Sequence, residues 1–263
     1  MRRYLAAAVL VSCGSSGSIL SLAPVEGGDT VSNDTDSNAS GTDASIGEGG
    51  VDSSATFPEG EAEAAPPPLA IVLVDPTAQA HADDPLLEAR LALLGFDVEE
   101  LIYTSPVVPS DGAAVVVVSS SATAAGLAST LPAQPIPIVV LEGFSYSTFG
   151  MTGDVQDQDY GVADETSLDI VDTTLSGLPL GTVVVYTEAE TSNFAQPSAG
   201  ALVAARIPGT NQAATFGYPA GTMMVTQVAS ARRVGLFLRT GVMHEATPEG
   251  WVTFDTMVRW AVQ

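Results

Sequence analysis

The chain reads as an α/β protein built on a doubly wound, mostly parallel sheet with extra C-terminal strands. Three observations predict this: continuous apolar runs recur after residue 68, helix signals stand between the early runs, and the early runs end in small or polar residues. Leu69 to Val74 (LAIVLV) has the pattern of a strand buried on both faces and stops at Asp75-Pro76. Asp83-Asp84-Pro85 opens a helix, because acidic residues suit its N-terminal dipole and proline suits its first turn; Leu86 to Leu94 continue it to a stop at Gly95. Phe96 to Ile102 forms the second strand. Ala113 to Val118 (AAVVVV) forms the third, running into Ser119-Ser120-Ser121, with a short helix predicted over Ala122 to Thr130. Ile136 to Leu141 (IPIVVL) is the fourth strand and ends at Glu142-Gly143.

After Gly150 the spacing changes. Val183 to Tyr186, Ala201 to Arg206, Ala213 to Tyr218, Met223 to Val228 and Val234 to Leu238 are short apolar runs divided by Gly, Pro and Asn, which predicts strands with tight connections, some of them antiparallel. Thr247-Pro248-Glu249 opens a last helix. Threonine caps it, proline fills its first turn, and Trp251, Phe254, Val258, Trp260 and Ala261 include its buried stripe.

Ahead of this body lie two segments of different character. Arg2-Arg3 followed by Tyr4 to Val11 has the plan of a signal peptide, too short to span a bilayer, and the chain's one cysteine, Cys13, comes directly after Leu10-Val11-Ser12. Leu-Val-Ser-Cys resembles the lipobox of bacterial lipoproteins, which implies cleavage after residue 12, lipidation of Cys13 and display at the cell envelope or surface. The alternative is an ordinary secreted protein cut near Ser21-Leu22-Ala23. Residues 13–68 are rich in Ser, Gly, Asp, Glu, Ala and Pro. Such a segment does not bury enough apolar surface to offset its ordering entropy and is expected to be a disordered acidic tether, reaching on average about 40 Å for roughly fifty residues. Residues 69–263 are then one domain.

Charge narrows the partners. The chain contains no lysine, the body has six arginines, and the formal net charge is −23, so nucleic acid and anionic membrane surfaces are repelled and a lipid is the expected contact with a membrane. With Cys13 used as an anchor, no thiol remains for a disulfide, a zinc cluster or a nucleophile.

From Leu69 onward the sequence resembles the class I glutamine amidotransferase-like superfamily, near its ThuA-like branch. The pieces that carry the resemblance are LAIVLVD, AAVVVVSS, PIPIVVLEG, Gly150-Met151-Thr152, and Ala231 to Leu238 followed by Pro248 to Trp251 and Phe254 to Trp260. The resemblance implies a flavodoxin-like arrangement of the sheet. It also implies a cysteine on the turn after the fourth strand, activated by a His-x-Glu pair after the late strand. Here the turn reads Leu141-Glu142-Gly143-Phe144, with Glu142 where the nucleophile would be, and Arg239 falls near the histidine position with His244-Glu245 further on. The family's cysteine is absent, so glutamine hydrolysis by its mechanism is not expected.

A cleft at the carboxyl ends of the strands remains, and Asp75, Ser119, Ser120, Glu142, Ser145, Tyr146, Arg239, His244 and Glu245 are the polar residues expected to line it. For most of them a structural role stands beside the functional one: Asp75 shaping a turn, the serines capping a helix, Arg239 pairing with a carboxylate. Glu142 is the strongest candidate, since burial at a turn would raise its pKa and suit it to acid or base work. His81 is read as solvated, and the two histidines do not declare a metal site. Asp154, Asp157, Asp159, Asp164 and Glu165 lack the spacing of a calcium loop, so no metal or cofactor is expected. Phe144, Tyr146, Phe149, Tyr160 and Phe194 would suit a carbohydrate if they shared a surface, although core packing is their commoner fate. The resulting expectation is a lipid-anchored surface protein with a non-catalytic domain that binds a small molecule or another partner; the alternative is a hydrolase or lyase using Glu142, with a carbohydrate as one substrate class.

Overall fold

The structure is a computed structural model, and it describes residues 65–104, 112–127 and 130–263. All of these lie in the unit Glu61–Gln263. The expected signal and tether, including Cys13, lie outside the described residues.

In chain order the elements are β1 (Leu69–Val74), α1 (Asp84–Leu93), β2 (Asp97–Ile102), β3 (Ala113–Val118), β4 (Ile138–Val140), β5 (Tyr160–Glu165), β6 (Ser167–Ile170), α2 (Thr173–Ser176), β7 (Gly181–Val184), β8 (Glu190–Ala195), β9 (Leu202–Arg206), β10 (Ala213–Tyr218), β11 (Arg233–Gly235) and α3 (Pro248–Val262). They form one mixed sheet ordered β2-β1-β3-β4-β11-β10-β9-β6-β7, with β8 pairing β10 and β5. The segment β2-β1-β3-β4-β11 is parallel throughout, which is the flavodoxin-like order; the remaining pairs are antiparallel. The expected fold class is the one observed.

Strand alternation divides the apolar residues between two cores. Ala70, Val72 and Val74 of β1 face Leu87 and Leu91 of α1 and Phe254, Met257, Val258 and Ala261 of α3. Arg90 ties these two helices together through a bidentate pair with Asp255, both contacts at 2.7 Å, while its guanidinium lies over Trp251. Ile71 and Leu73 face the other way, toward Leu127, Leu131, Ile136, Tyr146, Phe149 and Met151. The caps match the sequence: Gly95 follows α1 with φ 94°, and Thr247 Oγ1 accepts the Gly250 N–H at the start of α3.

Four local expectations are corrected. The helix predicted over Ala122 to Thr130 is absent among its described residues, and a 3-10 turn, Ala124–Gly126, stands there with another at Leu131–Ala133. Gly126 favours the tight turn because a Cβ there would collide with the Tyr103 ring, so the chain presses close to β2's end instead of coiling away. Met223 to Val228 is a turn closed by a Met223–Val228 bridge and held by Met224 N–H to Gln227 O at 2.9 Å, not a strand. The run expected at Val183 to Tyr186 is in a ladder only as far as Val184, and the late strand stops at Gly235. Finally β5, β6 and β8 went unread, because YGVADE, SLDI and ETSNFA contain no apolar run; they are mixed strands whose polar residues the pairing tolerates.

Candidate functional site

The carboxyl ends of β1, β3, β4 and β11 bring the predicted polar residues to one end of the sheet, in separate clusters. After β4 the chain turns at Glu142, whose backbone is extended, φ −109° and ψ 102°, without the positive φ of a strained elbow. Glu142 is buried at 5 % exposure. Its Oε1 accepts the Phe144 N–H at 3.0 Å and its Oε2 accepts from Arg239 Nη2 at 3.2 Å. Burial pushes the carboxyl up, against the opposing pull of Arg239 and of the Phe144 N–H. The guanidinium lies over the Phe144 ring, 5.8 Å from its centre, so the cation has both the carboxylate and the ring as neighbours.

Asn193 completes this cluster and escaped the sequence reading. Its Oδ1 accepts the Gly143 N–H at 3.2 Å, while Nδ2 donates to the carbonyls of Leu141 and Leu236, each at 2.9 Å. One amide thereby ties the ends of β4 and β11. A Cβ on Gly143 would stand 2.7 Å from Asn193 Oδ1, so only glycine admits this approach. The result is a closed arrangement in which the N–H groups of Gly143 and Phe144 and both Glu142 oxygens have partners within the protein.

Ser119 and Ser120 enter a second cluster that centres on Asp84. Asp84 is fully buried; Ser119 Oγ donates to its Oδ1 at 2.5 Å and Ser121 Oγ to its Oδ2 at 2.8 Å. Ser120 Oγ accepts the Thr240 N–H at 2.8 Å, which pins the turn after β11 to the end of β3. Asp75 Oδ1 accepts from the hydroxyl and amide of Thr77, and those contacts hold its carboxyl below the usual range while shaping the turn. The sequence places Asp84 at a helix start; only the fold brings the two serine hydroxyls onto it.

His244 belongs to neither cluster. Its Nδ1 lies 2.7 Å from Asp83 Oδ2, and that contact raises the imidazole above its ordinary value. Glu245 accepts from the Thr187 hydroxyl. No hydrogen bond or ion pair among the described residues joins His244 to Glu142 or Arg239. His244 instead borders an open groove of ≈ 480 Å³, lined also by Gln79, Ala80, Ala82, Asp83 and Gly241.

The aromatic set does not form a shared stacking surface. Tyr146 and Phe149 are fully buried and Phe194 nearly so. Tyr146, placed in the cleft by the sequence, packs edge-on to Phe216 in the core and donates its hydroxyl to Leu236 O at 2.8 Å. Phe144 and Tyr160 meet edge to face with centroids 6.2 Å apart. Ser145 is also buried. Among the described residues no group of three or more His, Cys, Asp or Glu is placed to hold a metal ion, and no helix is long and apolar enough to cross a membrane.

Fold and site together define a flavodoxin-like α/β domain with an acidic residue closing the turn after its central strand. Solved structures similar to this chain include a GMP synthase component from Thermoplasma acidophilum, at 17 % identity, a TM-score of 0.46 and coverage of 72 % of this chain and 92 % of that one. A ThuA-like protein from Bacteroides uniformis gives 10 %, 0.48, 78 % and 95 %, and one from Parabacteroides merdae gives 11 %, 0.48, 76 % and 91 %, in the same order. These are distant likenesses, and the fold assignment rests on the strand order itself. No protein-family profile matches the chain. No curated protein sequence matches it either.

Proposed function

We propose that this is an exported, lipid-anchored surface protein whose amidotransferase-like domain binds a partner rather than turning over a substrate. The observation that carries the binding reading is the closure around Glu142: the acidic side chain stands where the resembling family has its nucleophile, and both oxygens are committed to Phe144 N–H and Arg239. An attacking group needs a base within reach and free donors for the developing charge, and His244 is engaged elsewhere. The anchor reading is supported by Arg2-Arg3, the apolar run and Cys13.

Both halves are testable on the full chain. Expressed in a bacterial host, the wild type should enter the detergent phase on phase partition and incorporate labelled palmitate, and Cys13→Ser should do neither; equal behaviour of the two would overturn the anchor. Ammonia release from glutamine should equal that of buffer. A second reading, a hydrolase or lyase using Glu142 as a proton donor, is favoured by the burial that raises its carboxyl. Turnover of any glycoside in a screen, abolished by Glu142→Gln, would replace the binding reading with that one.

A further inference from the structure

The antiparallel half of the sheet holds a groove of ≈ 270 Å³ that no residue of the Glu142 cluster lines. It lies between the chain leaving β8 at Gln196 and strand β9 with its turn into β10. Backbone hydrogen bonds fix both walls. On one side Gln196 N–H donates to Asp159 O at 2.7 Å, Ser198 N–H to Tyr218 Oη at 2.8 Å and Ser198 Oγ to Met223 O at 3.2 Å. On the other, Ile207 N–H donates to Gln212 O at 3.0 Å and Thr210 N–H to Ile207 O at 3.1 Å. Walls held in this way need little ordering when a ligand enters.

The polar side chains of the groove are Gln196, Ser198, Arg206 and Asn211, and no carboxylate lines it. That is a departure in a chain with 31 acidic residues and eight basic ones. Arg206 stands opposite Asp169 in the β6/β9 ladder, a position where opposite charges commonly pair. Among the described residues they do not: Asp169 Oδ1 accepts from the Thr182 hydroxyl at 2.6 Å and Oδ2 accepts the Gly209 N–H at 3.4 Å. Arg206 Nη1 donates to the Asn211 carbonyl, which restrains the guanidinium, while Nε and Nη2 have no partner among the described residues.

Those two groups are the parallel donors that take a carboxylate two-pronged. Arg90 uses the same pair on Asp255, Nε to Oδ1 and Nη2 to Oδ2, each at 2.7 Å. In Arg206 the fork is unused. The Gln196 and Asn211 amides each offer a donor and an acceptor, which suits hydroxyl groups, and Pro197 and Val203 supply apolar wall. At about 30 Å³ per water the groove has room for roughly nine, which admits a small molecule and not a folded partner. The field of a chain with net charge −23 disfavours a multiply charged anion, so the ligand carries a single carboxylate.

We infer that this groove binds a small hydroxylated monocarboxylate, its carboxylate on the Arg206 fork and its hydroxyl groups on the Gln196 and Asn211 amides. The inference goes beyond the binding reading above and uses none of the Glu142 residues, so Glu142→Gln should leave it unchanged.

The full-length chain labelled with 15N-arginine and titrated with gluconate at about 0.15 M salt, where exposed charges are screened beyond roughly 8 Å, should show a saturable shift of one Nε resonance, the one missing from Arg206→Lys. Glucitol, which has the hydroxyls without the carboxylate, should shift nothing, and acetate and inorganic phosphate should bind about tenfold more weakly or less. By calorimetry, gluconate binding should weaken about tenfold or more in Arg206→Lys, which keeps the charge and loses the fork, and about threefold in Gln196→Ala. Arg259→Lys, at an exposed position on α3, should bind as the wild type does. A shift that does not saturate, an equal response to glucitol, acetate or phosphate, or unchanged binding in Arg206→Lys would overturn the proposal. Should Arg206→Lys fail to fold, Gln196→Ala decides, and undiminished binding there overturns it. Glycoside turnover abolished by Glu142→Gln would sink the binding reading while leaving the gluconate shift standing; a missing shift without turnover would sink this inference only.

Discussion

Two buried charges sit at opposite ends of the neighbouring strands β4 and β11, and the protein satisfies them differently. At the amino end, Arg233 is fully buried with no carboxylate partner among the described residues; its guanidinium donates to the carbonyls of Ile136, Arg232, Pro132 and Gln134 and to Ser230 Oγ at 2.7–3.1 Å. Burial brings its pKa down to about 10. At the carboxyl end, Glu142 meets Arg239, whose side chain remains 21 % exposed. The first site is a clamp on backbone, in which the Pro132 and Ile136 carbonyls have no other described donor while those of Gln134 and Arg232 also accept from Ser230 Oγ and the Ile138 N–H, and the second is an ion pair at the edge of water. Removing the clamp therefore leaves buried carbonyls stranded, whereas neutralising the pair removes a charge that burial already disfavours.

The sharpest way to test that contrast is Arg233→Met. It keeps much of the apolar volume but strands the Pro132 and Ile136 carbonyls, so it should destabilise by about 3 kcal/mol, read as a lower urea midpoint with an unchanged slope. Asp84→Ala comes next. It leaves the Ser119 and Ser121 hydroxyls and the His81 ring without their acceptor and should cost about 2 kcal/mol, measured the same way.

Glu142→Gln should move stability by less than about 1 kcal/mol at pH 7, and toward greater stability. The sign follows from the raised carboxyl: the stability that a raised acid contributes is complete below its unfolded pKa and is lost as pH rises through the folded value. Urea midpoints taken between pH 4 and 8 should therefore fall with rising pH more steeply in the wild type than in the variant; an equal or opposite slope would mean that Arg239 outweighs burial. The smallest effect belongs to His244→Gln. Asp83 raises this imidazole, so its contribution is complete below the ordinary value near 6.5 and disappears as pH climbs through the raised one. With the side chain 53 % exposed and screened by water, the variant should lose no more than about 0.5 kcal/mol at pH 5.5 and nothing at pH 8.5.

Much of the parallel half was legible because its signals are local. A strand buried on both faces must be apolar throughout, as LAIVLV and AAVVVV are, and a helix must announce its ends, as Pro85, Gly95 and Thr247 do. The antiparallel half was less so. β5 and β8 pair Glu165 with Glu190 and Asp164 with Thr191, a combination that no periodicity in either segment suggests. The site divides in the same way. Glu142 was found because a polar residue directly after an apolar strand stands out, and its contact with Arg239 follows from β4 and β11 being neighbours. Tyr146 was misplaced because a tyrosine four residues further on can turn inward or outward, and the Phe216 ring and Leu236 carbonyl that draw it inward lie far along the chain.

By itself, then, the sequence determined the fold class, the excess of negative charge, the single cysteine at position 13 and the acidic turn after β4, since each depends on residue type and near-neighbour spacing. Only the tertiary structure decided which carboxylates are buried and with whom. Asp84 and His81 are three residues apart and look like an ordinary helix start, but the Ser119 and Ser121 hydroxyls that make Asp84 a buried acceptor arrive from 35 and 37 residues away. Burial and hydrogen bonding across such separations are set by how strands are ordered in the sheet, and the physical chemistry of a carboxylate or an imidazole follows from that environment more than from its own identity.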